Sequence, residues 1–164
     1  YPNVLFYSLG SCNDIEKEKS TIIEFASKLS PNAKIVRLID RDDRSSEEIA
    51  DLEQNGIKVL GRRHVECYLL DDEVLDAWCS ACGKESKRGE VNNIKQQSMA
   101  DSIQRGNAVD DVKSASNDIC TKIKKLFGLT KCGNNGETIM RDTVSKLLTE
   151  EMQVYKELEH EIFG

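Results

Sequence analysis

The sequence predicts an α/β fold, a small, open, mostly parallel sheet followed by an α-helical C-terminal extension. Three observations carry this. Short apolar runs alternate with helical repeats over the first 60 residues, each run ends in glycine or a polar cluster, and no strand signal remains beyond about residue 90. Parallel neighbours need a crossover and a helix is the usual one, so strand–helix–strand order implies a parallel sheet.

The elements follow in order. "NVLFYSL" (3–9), closed by Gly10, reads as a buried strand. Asn13 and Glu16 have capping-box spacing, and Ile15, Ile22, Ile23, Ala26 and Leu29 recur on one helical face until Ser30-Pro31 stops it. "AKIVRLI" (33–39) is a second strand. Ser45 with Glu48 offers another capping box, for a helix through Ile49, Ala50 and Leu52 to the stop at Asn55-Gly56. "IKVLG" (57–61) is a third, short strand. "RRHVECYLL" then leads into "DDEVLDAWCSACG", where Leu69, Leu70, Val74, Leu75 and Trp78 mark helix packed on the sheet. Helices are expected over 90–105, 116–127, 137–148 and 150–162, separated by glycine and asparagine, most clearly in "KCGNNGE". The expected division is an α/β domain over 1–82 and a helical extension over 83–164.

Composition limits the function classes. The chain has 164 residues, 38% of them hydrophobic and 32% charged, which describes a polar globular protein with one well-cored domain and an extension. No apolar run approaches a membrane span, and the first residues lack the basic-then-apolar layout of a signal peptide, so a cytoplasmic setting without membrane contact is expected. The six cysteines are irregularly spaced and are expected as reduced thiols. The net charge is −6, yet the stretch 83–136 is net basic. A nucleic-acid backbone would be held mainly there. The same lysines equally suit a solvated helical surface.

The stretch "IVRLIDRDDRSSEEI" (35–49) finishes a strand with a knot of carboxylates. In open α/β sheets the ligand site lies beyond the carboxyl ends of the strands. Alternate residues of an extended chain point the same way about 6.6 Å apart, so Asp40 and Asp42 are placed to address one site. Two such carboxylates suit Mg²⁺ or Mn²⁺, hard cations that take oxygen ligands and keep waters for substrate to replace. Without a metal, Asp43 would cap the next helix while Arg41 and Arg44 neutralise the other acids. Glu66, just after the third strand, is a further candidate ligand, with Arg63 or His64 placed to meet a phosphate; the alternative is an internal salt bridge from Glu66 to an arginine.

These residues carry a resemblance. A strand running into Asp-x-Asp ("VRLIDRD"), then helix, short strand and "RRHVECYLLDDEVL", resembles the Toprim domain, a Rossmann-like fold, of OLD-type ATPase-linked nucleases. It is especially similar to Toprim-like domains in which Arg-Arg-x-x-Glu-x-Tyr-Leu-Leu follows the Asp-x-Asp. "DDVKSA", "GNNGETIMRDT" and "VYKELEHEIFG" look like the helical tail of that group, so the likeness runs from about residue 4 to the end. It implies a metal-dependent phosphodiester-cleaving centre acting on DNA or RNA, linked to an ATPase domain in the same or a partner chain, in a class that often looks like phage defence. Homo-oligomers are compatible with it. Carried over, Asp40, Asp42 and Glu66 would be catalytic metal ligands for Mg²⁺ or Mn²⁺, and Arg63 and Lys113 would contact phosphate. One departure matters: the Toprim pattern opens with a strand ending in glutamate, whereas here the first strand ends "SLGSCN". The expectation is that this first strand lies upstream of Tyr1.

Three other readings compete. A haloacid-dehalogenase-like phosphatase also uses Asp-x-Asp after a strand, but its second aspartate is usually followed by Thr or Val, where Asp43 stands here. His64-x-x-Cys67 and Cys79-x-x-Cys82 have zinc-like gaps, although both fall on apolar helical stretches. A non-enzymatic docking or regulatory domain for a partner ATPase would keep the fold without the chemistry. Trp78, Tyr68, Phe25 and Phe127 read as packing groups, Met140 and Met152 as core filler, and His160 as a surface residue.

Overall fold

Among the described residues of the N-terminal unit, strands form at the ends of two largely apolar runs. In the computed structural model, which describes residues 34–164 together with Val4, Ile15, Lys28, Pro31 and Asn32, β1 is Arg37–Ile39 and β2 is Ile57–Val59. They pair in parallel, with Arg37, Leu38 and Ile39 opposite Ile57, Lys58 and Val59, and the Leu60 N–H extends the ladder to the Ile39 carbonyl at 3.0 Å. The second expected strand is therefore shorter than 33–39, while the parallel pairing is as expected. The expected first strand (3–9) and the helix begun by Asn13 and Glu16, with Phe25, lie outside the described residues.

The crossover is helix α1, Ser46–Gln54. Ser45 and Glu48 close the expected capping box: the Glu48 N–H donates to Ser45 Oγ at 3.2 Å, and the Ser45 N–H donates to the Glu48 carboxylate at 2.8 Å. These bonds hold the Glu48 carboxyl below the usual carboxylate range. Gly56, at φ +71°, turns the chain into β2 in a conformation that glycine adopts at little steric cost. Ile39, Ile57 and Leu60 are the buried apolar residues among those described here.

The chain divides into compact units after Leu60, so the stretch that the sequence groups with the strands, 61–82, belongs to the helical unit. That unit runs α2 (Glu66–Leu69), α3 (Asp72–Ala81), a 3₁₀ turn (Glu85–Lys87), α4 (Arg88–Gln104), α5 (Val112–Phe127), α6 (Gly136–Asp142), a second 3₁₀ turn (Val144–Leu147) and α7 (Gln153–Phe163). Asp71, Asp111 and Asn135 cap α3, α5 and α6 with side-chain oxygens, each satisfying an otherwise orphaned N–H. Tyr68, Leu70, Leu75, Trp78, Ile119, Ile123 and Ile139 form its buried core, and Phe127 meets Trp78 edge-on with ring centroids 5.7 Å apart.

Helix α4 buries Val91 and two small polar side chains, and it meets α5 through a polar contact. Ser98 and Ser102 are buried, and each accepts a hydrogen bond: Ser98 from Lys122 Nζ at 3.2 Å, Ser102 from Asn107 Nδ2 at 3.0 Å. Helix α6 approaches α5 closely enough that a Cβ on Gly136 would lie 2.6 Å from the Asn117 Cα, so only glycine fits. The helix expected over 137–148 ends at Asp142 and continues as the 3₁₀ turn, whose Ser145 hydroxyl donates back to the Arg141 carbonyl at 2.7 Å.

Candidate functional site

Asp40 directly follows β1, as expected for a residue at a strand's carboxyl end. The extended geometry does not persist as far as Asp42, which sits in a turn at φ 49°, a left-handed backbone that aspartate tolerates better than most side chains. The alternation argument for Asp40 and Asp42 therefore holds only up to the strand end. Arg44 straps this turn. Its Nη1 donates to the Asp40 carbonyl at 2.9 Å, to the Arg41 carbonyl at 3.3 Å and to Asp42 Oδ2 at 3.1 Å, while its own N–H closes the turn onto the Arg41 carbonyl. Neutralisation by Arg44, one of the two sequence-based alternatives, thus operates at Asp42. Ser45, not Asp43, is the cap of α1.

In the helical unit the stretch 61–71 presents a second constellation. Glu66 opens α2, and its Oε2 is buried without accepting a hydrogen bond among the described residues. A buried carboxylate oxygen without a donor is costly, and a cation is one chemistry that satisfies it. The neighbouring arginines have other duties. Arg62 donates from Nη1 to Asp71 Oδ2 at 2.7 Å and to the Cys67 carbonyl at 3.0 Å, and from Nε and Nη2 to the two oxygens of Glu157 at 2.9 and 2.7 Å. Its guanidinium also lies 4.9 Å from the Tyr68 ring centroid. These carboxylates raise the Arg62 pKa above its already high ordinary value.

Tyr68 completes that network. Its hydroxyl donates to Glu161 Oε2 at 2.5 Å and accepts the Arg62 N–H at 2.9 Å, and Glu161 Oε2 also accepts the Gly61 N–H at 3.1 Å. Burial first, then the bond to Glu161, pushes the Tyr68 hydroxyl well above the usual phenol range. Glu157 and Glu161, one turn apart on α7, thus grip the start of the "RRHVECYLL" stretch. A further tie runs from the Val154 N–H to Glu73 Oε2 at 2.9 Å, which satisfies an orphan donor in the first turn of α7.

Arg63 is only 10% exposed, and its Nη1 lies 3.2 Å from Asp110 Oδ1. The residue expected to meet phosphate is therefore engaged by a carboxylate. His64 is buried with Nδ1 3.7 Å from Asp111 Oδ1. Burial pushes the Asp111 carboxyl up, but the Ser114 hydrogen bonds, with His64 and Arg63 nearby, hold it below the usual range overall. Lys113 is exposed in the first turn of α5.

The zinc-like pairs are not brought together. Cys67 Sγ faces the Asp110 carbonyl at 3.7 Å, whereas Cys79 is buried near the far end of α3 and Cys82 caps that end. Among the described residues, neither unit gathers three His, Cys, Asp or Glu side chains able to hold an ion. Asp40 and Asp42 belong to the first unit, and Glu66, Arg63 and Lys113 to the second.

Sequence reasoning missed the Arg62–Asp71–Glu157 and Tyr68–Glu161 contacts. The available signal was the one-turn spacing of Glu157 and Glu161, which puts two acids on one face of an otherwise half-apolar helix. No helix among the described residues is long and apolar enough to cross a membrane. In comparisons with known proteins, no family model, curated protein or solved structure matches the chain.

Proposed function

We propose that this chain is the Toprim-like part of a metal-dependent nuclease linked to an ATPase domain, cleaving phosphodiester bonds in DNA or RNA. The observation that carries the reading is Glu66, whose buried Oε2 accepts no hydrogen bond among the described residues, in a stretch that follows a parallel strand–helix–strand unit with Asp-x-Asp at its strand end. A Mg²⁺ or Mn²⁺ ion at Glu66 would satisfy that oxygen, acidify a bound water and offset charge on the phosphoryl oxygens, and the resemblance carries Asp40 and Asp42 as candidate ligands of the same chemistry. Arg63 would reach phosphate only by exchanging its Asp110 partner for it.

The test is a cleavage assay on the longer protein with its ATPase partner, comparing wild type with Asp40→Ala. Magnesium-dependent cleavage that falls by at least about two orders of magnitude in the variant is expected. Equal activity in the two proteins sinks the mechanism.

A second reading is a docking or regulatory domain without chemistry of its own. It is favoured by the engagement of both motif arginines, Arg62 by Asp71 and Glu157 and Arg63 by Asp110. Under that reading, ATPase coupling would respond to Arg62→Ala while Asp40→Ala would be silent.

A further inference from the structure

Between Asp118 and Glu137 the sequence holds four lysines, Lys122, Lys124, Lys125 and Lys131, and no carboxylate. The geometry of α5 sorts them. Thr121, Lys124, Lys125 and Gly128 recur at the spacing of one helical face. Lys122 lies to the side of it: its Nζ donates to Ser98 Oγ at 3.2 Å and stands 3.8 Å from both Asp101 Oδ2 and Asp118 Oδ2, so it serves the packing of α4 on α5. Lys124 and Lys125 meet no carboxylate among the described residues.

That face is not a bare helix end. Gly128 at φ +70° reverses the chain, and the segment beyond it returns to the same face, where Lys124 Nζ donates to the Gly133 carbonyl. Thr130 and Asn134 of this segment, with Thr121, Lys124 and Lys125 of α5, line an open cleft of about 410 Å³. The simplest duty of two lysines in a last helical turn is to offset the helix dipole. Here that end is already capped. The Gly128 N–H donates to the Lys125 carbonyl at 3.1 Å and the Leu129 N–H to the Lys124 carbonyl at 3.0 Å, which satisfies two of the carbonyls left over by the helix. The Lys124 ammonium turns to the returning segment instead, and Lys125 stays exposed at the cleft. Dipole compensation requires neither the cleft nor an acid-free surround.

We propose that this cleft seats a backbone phosphate of a nucleic-acid duplex, with Lys125 as its exposed cation and Lys124, Thr130 and Asn134 beside it. The choice of polyanion rests on the nuclease reading above, and the lining narrows it. No aromatic residue lines the cleft, and the nearby Phe127 ring is spent on Trp78, so an unpaired base finds no stacking platform. Ammonium and hydroxyl groups at a phosphate fix position and carry no sequence information, so the contact is indifferent to base sequence. A membrane surface fits less well, because interfacial binding also inserts apolar side chains. The exposed large apolar residues of this unit, Val65, Ile103 and Val109, all lie outside 119–136.

The experiment measures binding of the full chain to a fluorescein-labelled DNA duplex by anisotropy, over a salt series in EDTA, so that metal-dependent cleavage does not enter the readout. Lys125→Ala is the informative variant, since Lys125 is an exposed helical position where alanine is well tolerated, whereas Lys124 holds the Gly133 carbonyl. It should weaken binding by about three- to tenfold at low salt, equally for two duplexes of unrelated sequence, and lower the slope of log K against log salt by about 0.9. Lys146→Ala makes the same charge change at an exposed lysine away from the cleft and should leave both quantities unchanged. Unchanged affinity and slope in Lys125→Ala, equal weakening by Lys146→Ala, tighter binding to phosphatidylserine vesicles than to duplex, or no duplex binding by wild type at low salt would each overturn the site. The two readings fail separately: a protein that binds duplex through Lys125 yet never cleaves keeps this site and loses the nuclease, and one that cleaves but binds alike with and without Lys125 does the reverse.

Discussion

Replacing Arg62 by alanine removes four hydrogen bonds and a ring contact at one stroke, so its cost measures how firmly the 61–71 stretch is held to α7 and α3. The side chain is 30% exposed, Asp71 21% and Glu157 36%. These values place the cluster between surface ion pairs, worth about 0.2–1 kcal/mol, and buried ones, whose disruption costs about 3–5 kcal/mol. The fork onto Glu157 is bidentate, which favours the upper part of the range, while water reaching Glu157 after truncation favours the lower. The expected loss is about 2–3 kcal/mol. Asp71 keeps its capping bond to the Glu73 N–H through its other oxygen, so α3 itself should stay folded. Arg62→Lys retains the charge but not the fork, and should recover only about 1 kcal/mol of the loss. Urea unfolding read by circular dichroism, with an unchanged m-value, is the assay. A double-mutant cycle with Glu157→Gln should give a coupling of about 1 kcal/mol or more. A loss below about 0.5 kcal/mol, or coupling near zero, would show that the cluster is a surface decoration and refute its holding role.

Two other perturbations test the site from different sides. The Tyr68 hydroxyl is raised in the fold, so its protonated form is favoured there. Its contribution is full below the unfolded phenol value of about 10 and is lost as pH rises above that value towards the folded one. Tyr68→Phe should therefore flatten the alkaline fall in stability between about pH 9 and 11, and an unchanged slope in urea titrations at those pH values would contradict the assignment. Glu66→Gln removes the charge at the oxygen that accepts no hydrogen bond among the described residues. In metal-free buffer its stability should equal or slightly exceed that of wild type, whereas wild type should gain about 2.7 kcal/mol at a hundredfold excess of Mg²⁺ over its Kd and the variant should not. Identical Mg²⁺ responses in thermal unfolding would remove Glu66 from any metal site.

What the sequence made legible was what depends on neighbours in the chain. Ser45 and Glu48 announce α1 because both halves of the capping box lie within four residues, and parallel pairing of β1 with β2 follows from the helix between them. Trp78 and Tyr68 were placed in the core by periodicity alone, and both are buried. The short reach of that logic explains the rest. Asp42 looks like the next outward residue of a strand until Arg44, two positions on, folds the chain back on itself, and no alternation pattern carries that information. Asn135 and Thr138 close a box around α6 as sound as the one at Ser45, but a threonine in place of the usual glutamate hid it.

The harder failure concerns the arginines, and it has a chemical reason. A guanidinium binds carboxylate and phosphate with the same planar fork, so a motif of two arginines beside a glutamate cannot say which anion it will hold. Arg62 resolves towards carboxylate because α7 delivers Glu157, from 95 positions along the chain, and caps the same stretch with Glu161. Arg63 meets Asp110, which is about half exposed, through one Nη1 contact at 3.2 Å. Those two pairings differ in what it takes to undo them. Displacing Glu157 would break a bidentate contact and strip Tyr68 of its neighbour, whereas displacing Asp110 frees one Nη1 contact onto a carboxylate that water can solvate at once. The Arg62 fork onto Glu157 is thus the harder of these two carboxylate contacts to displace.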